Sequence, residues 1–216
     1  SYCGACNHDV LLVRQLRTRG HDVVFLPLYT PVQADGEIPQ PAGLFYGGIN
    51  CYLQQRFPIF RRTPGFVDRL FNSPALLNAV SRIAVSTRAE ELGEMTVSVL
   101  SGEEGRQRKE LGRLLLFLQQ EARPEIVHLT NSLLIGIAPA VKRRVGCRVV
   151  CSLQGEETFI ERFSGPWKER AVSLMRRHAG AVDVFISPTS GYAKVMADLL
   201  NLPPQRIRIV PPAADP

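Results

Sequence analysis

After Pro124 the chain changes its hydrophobic period, and that change constrains the fold more than any other feature. Four short apolar runs appear: Ile126-Val127-His128-Leu129, Val149-Val150-Cys151-Ser152-Leu153, Val182-Asp183-Val184-Phe185-Ile186 and Ile207-Arg208-Ile209-Val210. Between them, residues 132–145, 166–179 and 190–200 read as helices. Strands alternating with helices of about 10 to 15 residues indicate βαβ units, hence a parallel sheet with helices on both faces. Such sheets bind ligands beyond the carboxyl ends of their strands. That rule directs attention to residues 3–8, 29–31, 130–131, 154–156 and 188–190.

Upstream of Pro124 the pattern differs. A first helix is expected over about residues 9–19, with Val10, Leu11, Val13 and Leu16 inward and Gly20 as its stop. Residues 21–28 have the β-branched and aromatic content of a buried strand and end in Tyr29-Thr30-Pro31. About residues 50–123 read as a helical insertion. Ser73-Pro74 suggests a cap followed by an N1 proline, and Thr87/Glu90 and Ser101/Glu104 fall in capping-box frames. Leu111, Leu114, Leu115 and Leu118 form an i, i+3, i+4, i+7 stripe.

Composition narrows the class. At 216 residues and 45% hydrophobic content the chain can bury one large α/β core, which argues against disorder. The longest uncharged apolar run, residues 133–141, contains Gly136 and Pro139 and is far shorter than the roughly 20 residues of a membrane span. A net charge of +6 suits anionic partners without choosing among them. Five cysteines cannot all pair, and Cys147 and Cys151 lie in a segment that reads as a buried strand, so thiols in a reducing, cytoplasmic compartment are expected. The chain opens on Ser1-Tyr2-Cys3-Gly4 with no apolar run before it, so the first strand of the sheet is expected to be missing from the sequence.

Several diagnostic motifs do not occur: there is no Walker loop, G-x-G-x-x-G, H-E-x-x-H or G-x-S-x-G. Cys3-Gly4-Ala5-Cys6 is a C-x-x-C before a helix, where redox chemistry is one reading and an incidental pair the other. Asn7 excludes a c-type haem signature, no second ligand pair supports zinc, and no metal is expected. His128 ends a strand and reads either as a catalytic candidate facing the site or as a hydrogen-bonded core histidine. Glu156 and Glu157 follow a strand end, where a carboxylate could bind a polyol or act as a base; the alternative is two first-turn acids at a helix N-terminus. Residues 53–71 interleave Arg56, Arg61, Arg62 and Arg69 with Phe57, Phe60, Phe66 and Phe71. That suits an anionic acceptor or a peripheral contact with acidic lipid on the inner membrane face, or else packed helices with snorkelling arginines. No nucleic-acid module is recognisable, and nucleic acid is not an expected partner.

Read in order, four stretches resemble the N-terminal half of a GT-B glycosyltransferase of the large family 4, also called group 1. Cys3-Gly4-Ala5-Cys6-Asn7-His8, leading to Leu16-Arg17-Thr18-Arg19-Gly20-His21-Asp22-Val23, is similar to G-G-x-x-x-H followed by L-x-x-R-G-H-x-V. Pro124-Glu125-Ile126-Val127-His128-Leu129-Thr130-Asn131 is similar to P-D-V-V-H-x-H-N, and the run from Val149 to Glu156 to a V-V-x-T-x-H-G/D strand end. The run from Leu202 to Pro211 is similar to the L-P-x-x-R-I-x-V-I-P that leads into an interdomain linker. Cys3 replaces the first glycine, Thr130 and Gln154 stand where histidines are common, and Pro212-Ala213 replaces Asn-Gly.

The resemblance implies a Rossmann-like N-terminal domain over residues 1–210, a linker beginning at 211–216, and a C-terminal nucleotide-sugar domain outside the sequence. It implies a retaining, nucleotide-sugar-dependent hexosyltransferase in which this part binds a sugar, lipid or other small-molecule acceptor and is inactive alone. No cofactor is implied beyond the nucleotide-sugar co-substrate. The implied acceptor site comprises Gly4, His8, Thr130, Asn131, Gln154, Gly155, Glu156 and Ser190. A nucleotide-sugar epimerase or phosphorylase of the same fold, or a non-catalytic Rossmann-like binding domain, are the alternatives.

Overall fold

The computed structural model describes residues 4–26, 28, 46, 54, 55 and 89–212. Their backbone contains α1 (Gly4–Thr18), α2 (Ala89–Leu100), α3 (Arg108–Phe117), β1 (Ile126–Leu129), α4 (Ala138–Arg144), β2 (Arg148–Ser152), α5 (Glu156–Ile160), α6 (Trp167–Ala179), β3 (Val184–Ser187), α7 (Ser190–Leu200) and β4 (Ile207–Ile209). Tighter or wider turns sit at Gly102–Glu104, Leu118–Ala122, Ser132–Ile137 and Pro204–Arg206. The four strands form one parallel sheet in the order β1-β2-β3-β4. This is the α/β architecture with a parallel sheet that the alternating pattern predicts, and it is Rossmann-like, as the resemblance implies.

Register explains the core. Leu129, Cys151, Phe185 and Ile207 lie opposite one another in a single row across the sheet, and all four are buried. The next row on the other face, His128, Val150 and Val184, is only half-buried among the described residues. A parallel strand pair needs a crossover connection, which α4, α6 and α7 supply in turn. Leu111, Leu114, Leu115 and Leu118 are buried as their spacing predicts. Burying one such side chain contributes about 1.5–3 kcal/mol. Glu110 is buried beside them, with Arg113 3.0 Å away and the Gln54 amide and Tyr46 N–H donating to it, each at 3.2 Å.

Several boundaries differ from the sequence pattern. Helix α1 begins at Gly4 rather than near Asp9, so His8 lies in its second turn. Its end is as expected: Gly20 has φ +86°, its N–H donates to the Arg17 carbonyl at 2.9 Å, and the His21 N–H reaches the Leu16 carbonyl at 3.1 Å. Those two bonds are a Schellman cap, and a left-handed residue there favours glycine. Residues 21–26 do not form the expected strand. The Val23 carbonyl instead accepts two bonds from the Arg17 guanidinium, at 3.0 and 2.6 Å, and Val24 is exposed.

The Ser101/Glu104 capping box is also not formed, because the Ser101 hydroxyl turns back to the Val97 carbonyl at 2.8 Å. β3 begins two residues late, since the Asp183 carboxylate itself accepts the Val149 N–H at 2.7 Å while paired with Lys142 at 2.8 Å. The expected helix over 132–145 is formed, its first part, Ser132–Ile137, being wound more tightly, as a 3-10 helix, and running directly into α4. Ser73-Pro74, Thr87, Tyr29-Thr30-Pro31 and all of residues 53–71 except Gln54 and Gln55 lie outside the described residues. The described part of the insertion is helical.

Two glycines set the spacing between α2 and the Ser132–Ile137 turn. A methyl group on Gly136 would lie 2.4 Å from the Leu100 carbonyl oxygen, and one on Gly102, at φ +57°, 2.3 Å from the Gly136 oxygen. Gly112, inside α3, has open space where a methyl would go. Gly136→Ala is therefore expected to lower stability by about 1–3 kcal/mol through overpacking. Gly112→Ala is expected to raise it by about 0.5–1 kcal/mol through helix propensity. Urea unfolding of the two variants checks both signs.

Candidate functional site

The carboxyl ends of β1 and β2 open into turns that a single side chain ties together. Glu156, at the start of α5, is 4% exposed. Its Oε1 accepts the Ser132 N–H at 2.6 Å, just past β1, and its Oε2 accepts the Gln154 N–H at 2.7 Å, just past β2. Hydrogen bonds to charged groups contribute about 1.5–3 kcal/mol each, and a carboxylate buried without them would be strongly destabilising. Of the two roles open to Glu156 in the sequence, this geometry is that of an acid at a helix N-terminus, bracing two turns.

Each turn is completed locally. Asn131 caps the Ser132–Ile137 turn through its Oδ1, which accepts the Leu133 N–H at 3.1 Å. Gly155 has φ +87°, a left-handed conformation that lets the chain leave β2 and enter α5 at once. Its N–H donates to the Tyr192 phenol oxygen at 2.6 Å, and that hydroxyl lies 2.7 Å from Glu157 Oε2 and 3.0 Å from Glu156 Oε2. The third turn, after β3, is capped by Thr189, whose hydroxyl oxygen accepts the Tyr192 N–H at 3.1 Å. Ser190 begins α7 and is exposed.

The first helix reaches the same edge. The Gln154 side-chain amide donates to Asp9 Oδ1 at 3.2 Å, linking α1 to the turn after β2. His8 Nδ1 lies 3.5 Å from the same oxygen, close enough for charge attraction but without the geometry of a hydrogen bond. Burial raises the Asp9 carboxyl above its ordinary value, although Gln154, His8 and Thr130 pull the other way. Deeper in, His128 Nε2 lies 2.8 Å from the Ser152 hydroxyl. Burial, followed by the charge of His8, lowers the His128 pKa and favours the neutral imidazole.

Of the residues singled out in the sequence, His8, Thr130 and Gln154 therefore meet around Asp9. Asn131, Gly155 and Glu156 shape the turns that present them. Gly4 stands one turn before His8 in α1. His128 is partly buried against Ser152, so the core and site readings both apply to it in part. Asp9, Ser152 and Tyr192 are the members that the sequence pattern does not reveal. The adjacency of Asp9 to His8 was the available signal for the first. Tyr192 reaches across 37 residues, and nothing local marks it. Cys147 and Cys151 are free thiols, and burial pushes both above the usual thiol value. Among the described residues no three His, Cys, Asp or Glu side chains gather as a metal site, and no helix is long and apolar enough to cross a membrane.

A family model described as Glycosyl transferase 4-like domain matches residues 10–213. The chain belongs to that family. No curated protein and no solved structure matches it. The match begins at Val10, directly after Asp9, and spans β1 to β4 with the turns at 130–131 and 154–156, so the carboxyl edge of the sheet is part of a glycosyltransferase-type domain.

The raised Asp9 value has a consequence for this glycosyl transferase 4-like domain. An acid whose folded pKa exceeds its unfolded value of about 3.8–3.9 loses stability as pH rises from the unfolded value through the folded one. Above both values the ionised carboxylate remains a net cost. Asp9→Asn, which keeps an acceptor oxygen for Gln154, is thus expected to melt no lower than the wild type at pH 7, with any gain vanishing as pH falls towards 4. Melting curves between pH 4 and 8 check this; a variant that is less stable at pH 7 contradicts it.

Proposed function

We propose that this domain is the acceptor-binding side of a retaining, nucleotide-sugar-dependent glycosyltransferase, with the acceptor lying over His8, Asp9, Thr130 and Gln154. The observation that carries this reading is the Gln154 to Asp9 hydrogen bond. It brings the first turns of α1 to the carboxyl edge of β1 and β2, where open α/β sheets bind their ligands. The family match supports the reaction class.

The chemistry follows from the groups at that edge. As the acceptor oxygen bonds to the anomeric carbon, the bond to the nucleoside diphosphate breaks and the hydroxyl proton must be taken up. Asp9, with its raised pKa, and His8 are titratable groups at that edge that could accept a hydrogen bond from that hydroxyl. The donor is held by a second domain in this reading, so residues 1–216 by themselves supply only part of the transition-state contacts.

The test uses the full-length protein with UDP-glucose, UDP-N-acetylglucosamine and GDP-mannose as donors and a panel of neutral, phosphorylated and lipid-linked sugar acceptors. His8→Ala and Gln154→Ala are expected to raise the acceptor KM by roughly tenfold, about 1.4 kcal/mol, while leaving the donor KM within about twofold. Residues 1–216 alone are expected to release no nucleoside diphosphate. Wild-type acceptor KM in both folded variants places the acceptor elsewhere.

A further inference from the structure

Tyr192 is the one side chain of α7 that enters the bracing network, and it does so through a single oxygen. That oxygen accepts the Gly155 N–H at 2.6 Å, so its own proton is directed to the two carboxylates, Glu157 at 2.7 Å and Glu156 at 3.0 Å. Burial and the neighbouring Glu157 and Glu156 push the phenol far above its ordinary value, so it stays a donor at every physiological pH. The ring is rooted on β3: Thr189 caps the helix below it, and the Ser187 hydroxyl donates to the Thr189 carbonyl at 2.9 Å.

From Tyr192 an unbroken path leads to α1. Glu156 Oε2 receives both the phenol and the Gln154 N–H, and the Gln154 side chain donates to Asp9. Removing the phenol oxygen would leave the Gly155 N–H unpaired and take from Glu156 and Glu157 the donor they share. The turn at residues 154–156 would then lose its anchor on the β3 side, while β1 to β4 keep their pairing.

We infer that Tyr192 is a positioning residue: by holding Gly155 and Glu156 it aims the Gln154 amide at Asp9 and so sets the shape of the acceptor edge. The inference rests on the preceding reading only in calling that edge the acceptor's; the coupling from Tyr192 to Asp9 stands on the hydrogen bonds themselves. His8 and Thr130 also face Asp9, and neither lies on this path. The effect of Tyr192 on Asp9 should therefore pass through Gln154 alone.

A double-mutant cycle read at the Asp9 carboxyl tests this without any ligand. Carbon-13 NMR titration of Asp9 is carried out on the wild type, Tyr192→Phe, Gln154→Ala and the double variant, with strand amide shifts confirming the fold. Because the Gln154 bond lowers the Asp9 pKa, both single variants are expected to raise it. Tyr192→Phe is expected to shift nothing further once Gln154 is gone. An unchanged Asp9 value in folded Tyr192→Phe, or shifts that add in the double variant, overturns the inference. Should Tyr192→Phe fail to fold, Glu156→Gln, which removes one charged acceptor from the same path, takes its place with the same expected pattern. A purely structural role for Tyr192 would lower the melting temperature without moving Asp9. Failure of the acceptor reading shows instead in the His8→Ala kinetics, so the two fail separately.

Discussion

A carboxylate that is 4% exposed must have its charge met by donors, and Glu156 has three within reach: two backbone N–H groups and a phenol. One N–H belongs to the turn after β1, the other to the turn after β2, and the phenol comes from the helix after β3. The need to satisfy one buried charge thus draws together three turns that the sheet alone would leave independent. Everything presented at that edge, including Gln154 and through it Asp9, inherits its position from this requirement.

The sheet beneath supplies rigidity in a different way. The row Leu129, Cys151, Phe185 and Ile207 is buried across all four strands, so a slip of one residue in any strand would turn its member of the row to the other face. Gly102 and Gly136 permit α2 and the turn after β1 to meet at backbone contact, which holds that turn from behind. Glu156 holds the same turn from the front. The site is therefore set on elements fixed by packing on one side and by a hydrogen-bonded charge on the other.

Much of this was legible in the residues. β1 and α7 have the limits that their apolar pattern suggests, because each is bounded by strong local signals: Pro124 before the strand, Thr189 and Asn201 around the helix. β2 and β3 are displaced by one or two residues, since backbone pairing ignores the charge on Arg148 and the Asp183 side chain takes the place of a strand bond. The stretch at 21–26 shows where composition misleads: Val23, Val24 and Phe25 suit a strand, yet the Arg17 guanidinium has taken a carbonyl that a ladder would need. Thr130 and Gln154 are legible from topology, because the carboxyl ends of parallel strands gather at one edge whatever the side chains, whereas His8, which follows no described strand, rests on the family resemblance. Asp9 to Gln154 and Tyr192 to Gly155 span 145 and 37 residues, and no local pattern encodes such pairs.

The claim that one buried carboxylate unites the edge is tested most directly by amide hydrogen exchange at Ser132 and Gln154, the two N–H groups that Glu156 receives. In the wild type both are expected to exchange slowly. In Glu156→Ala both should lose protection together, by roughly the tenfold or more that corresponds to about 1.4 kcal/mol, while the amides of β1 to β3 keep theirs. Loss at one of the two positions alone, or unchanged protection at both, would contradict the account.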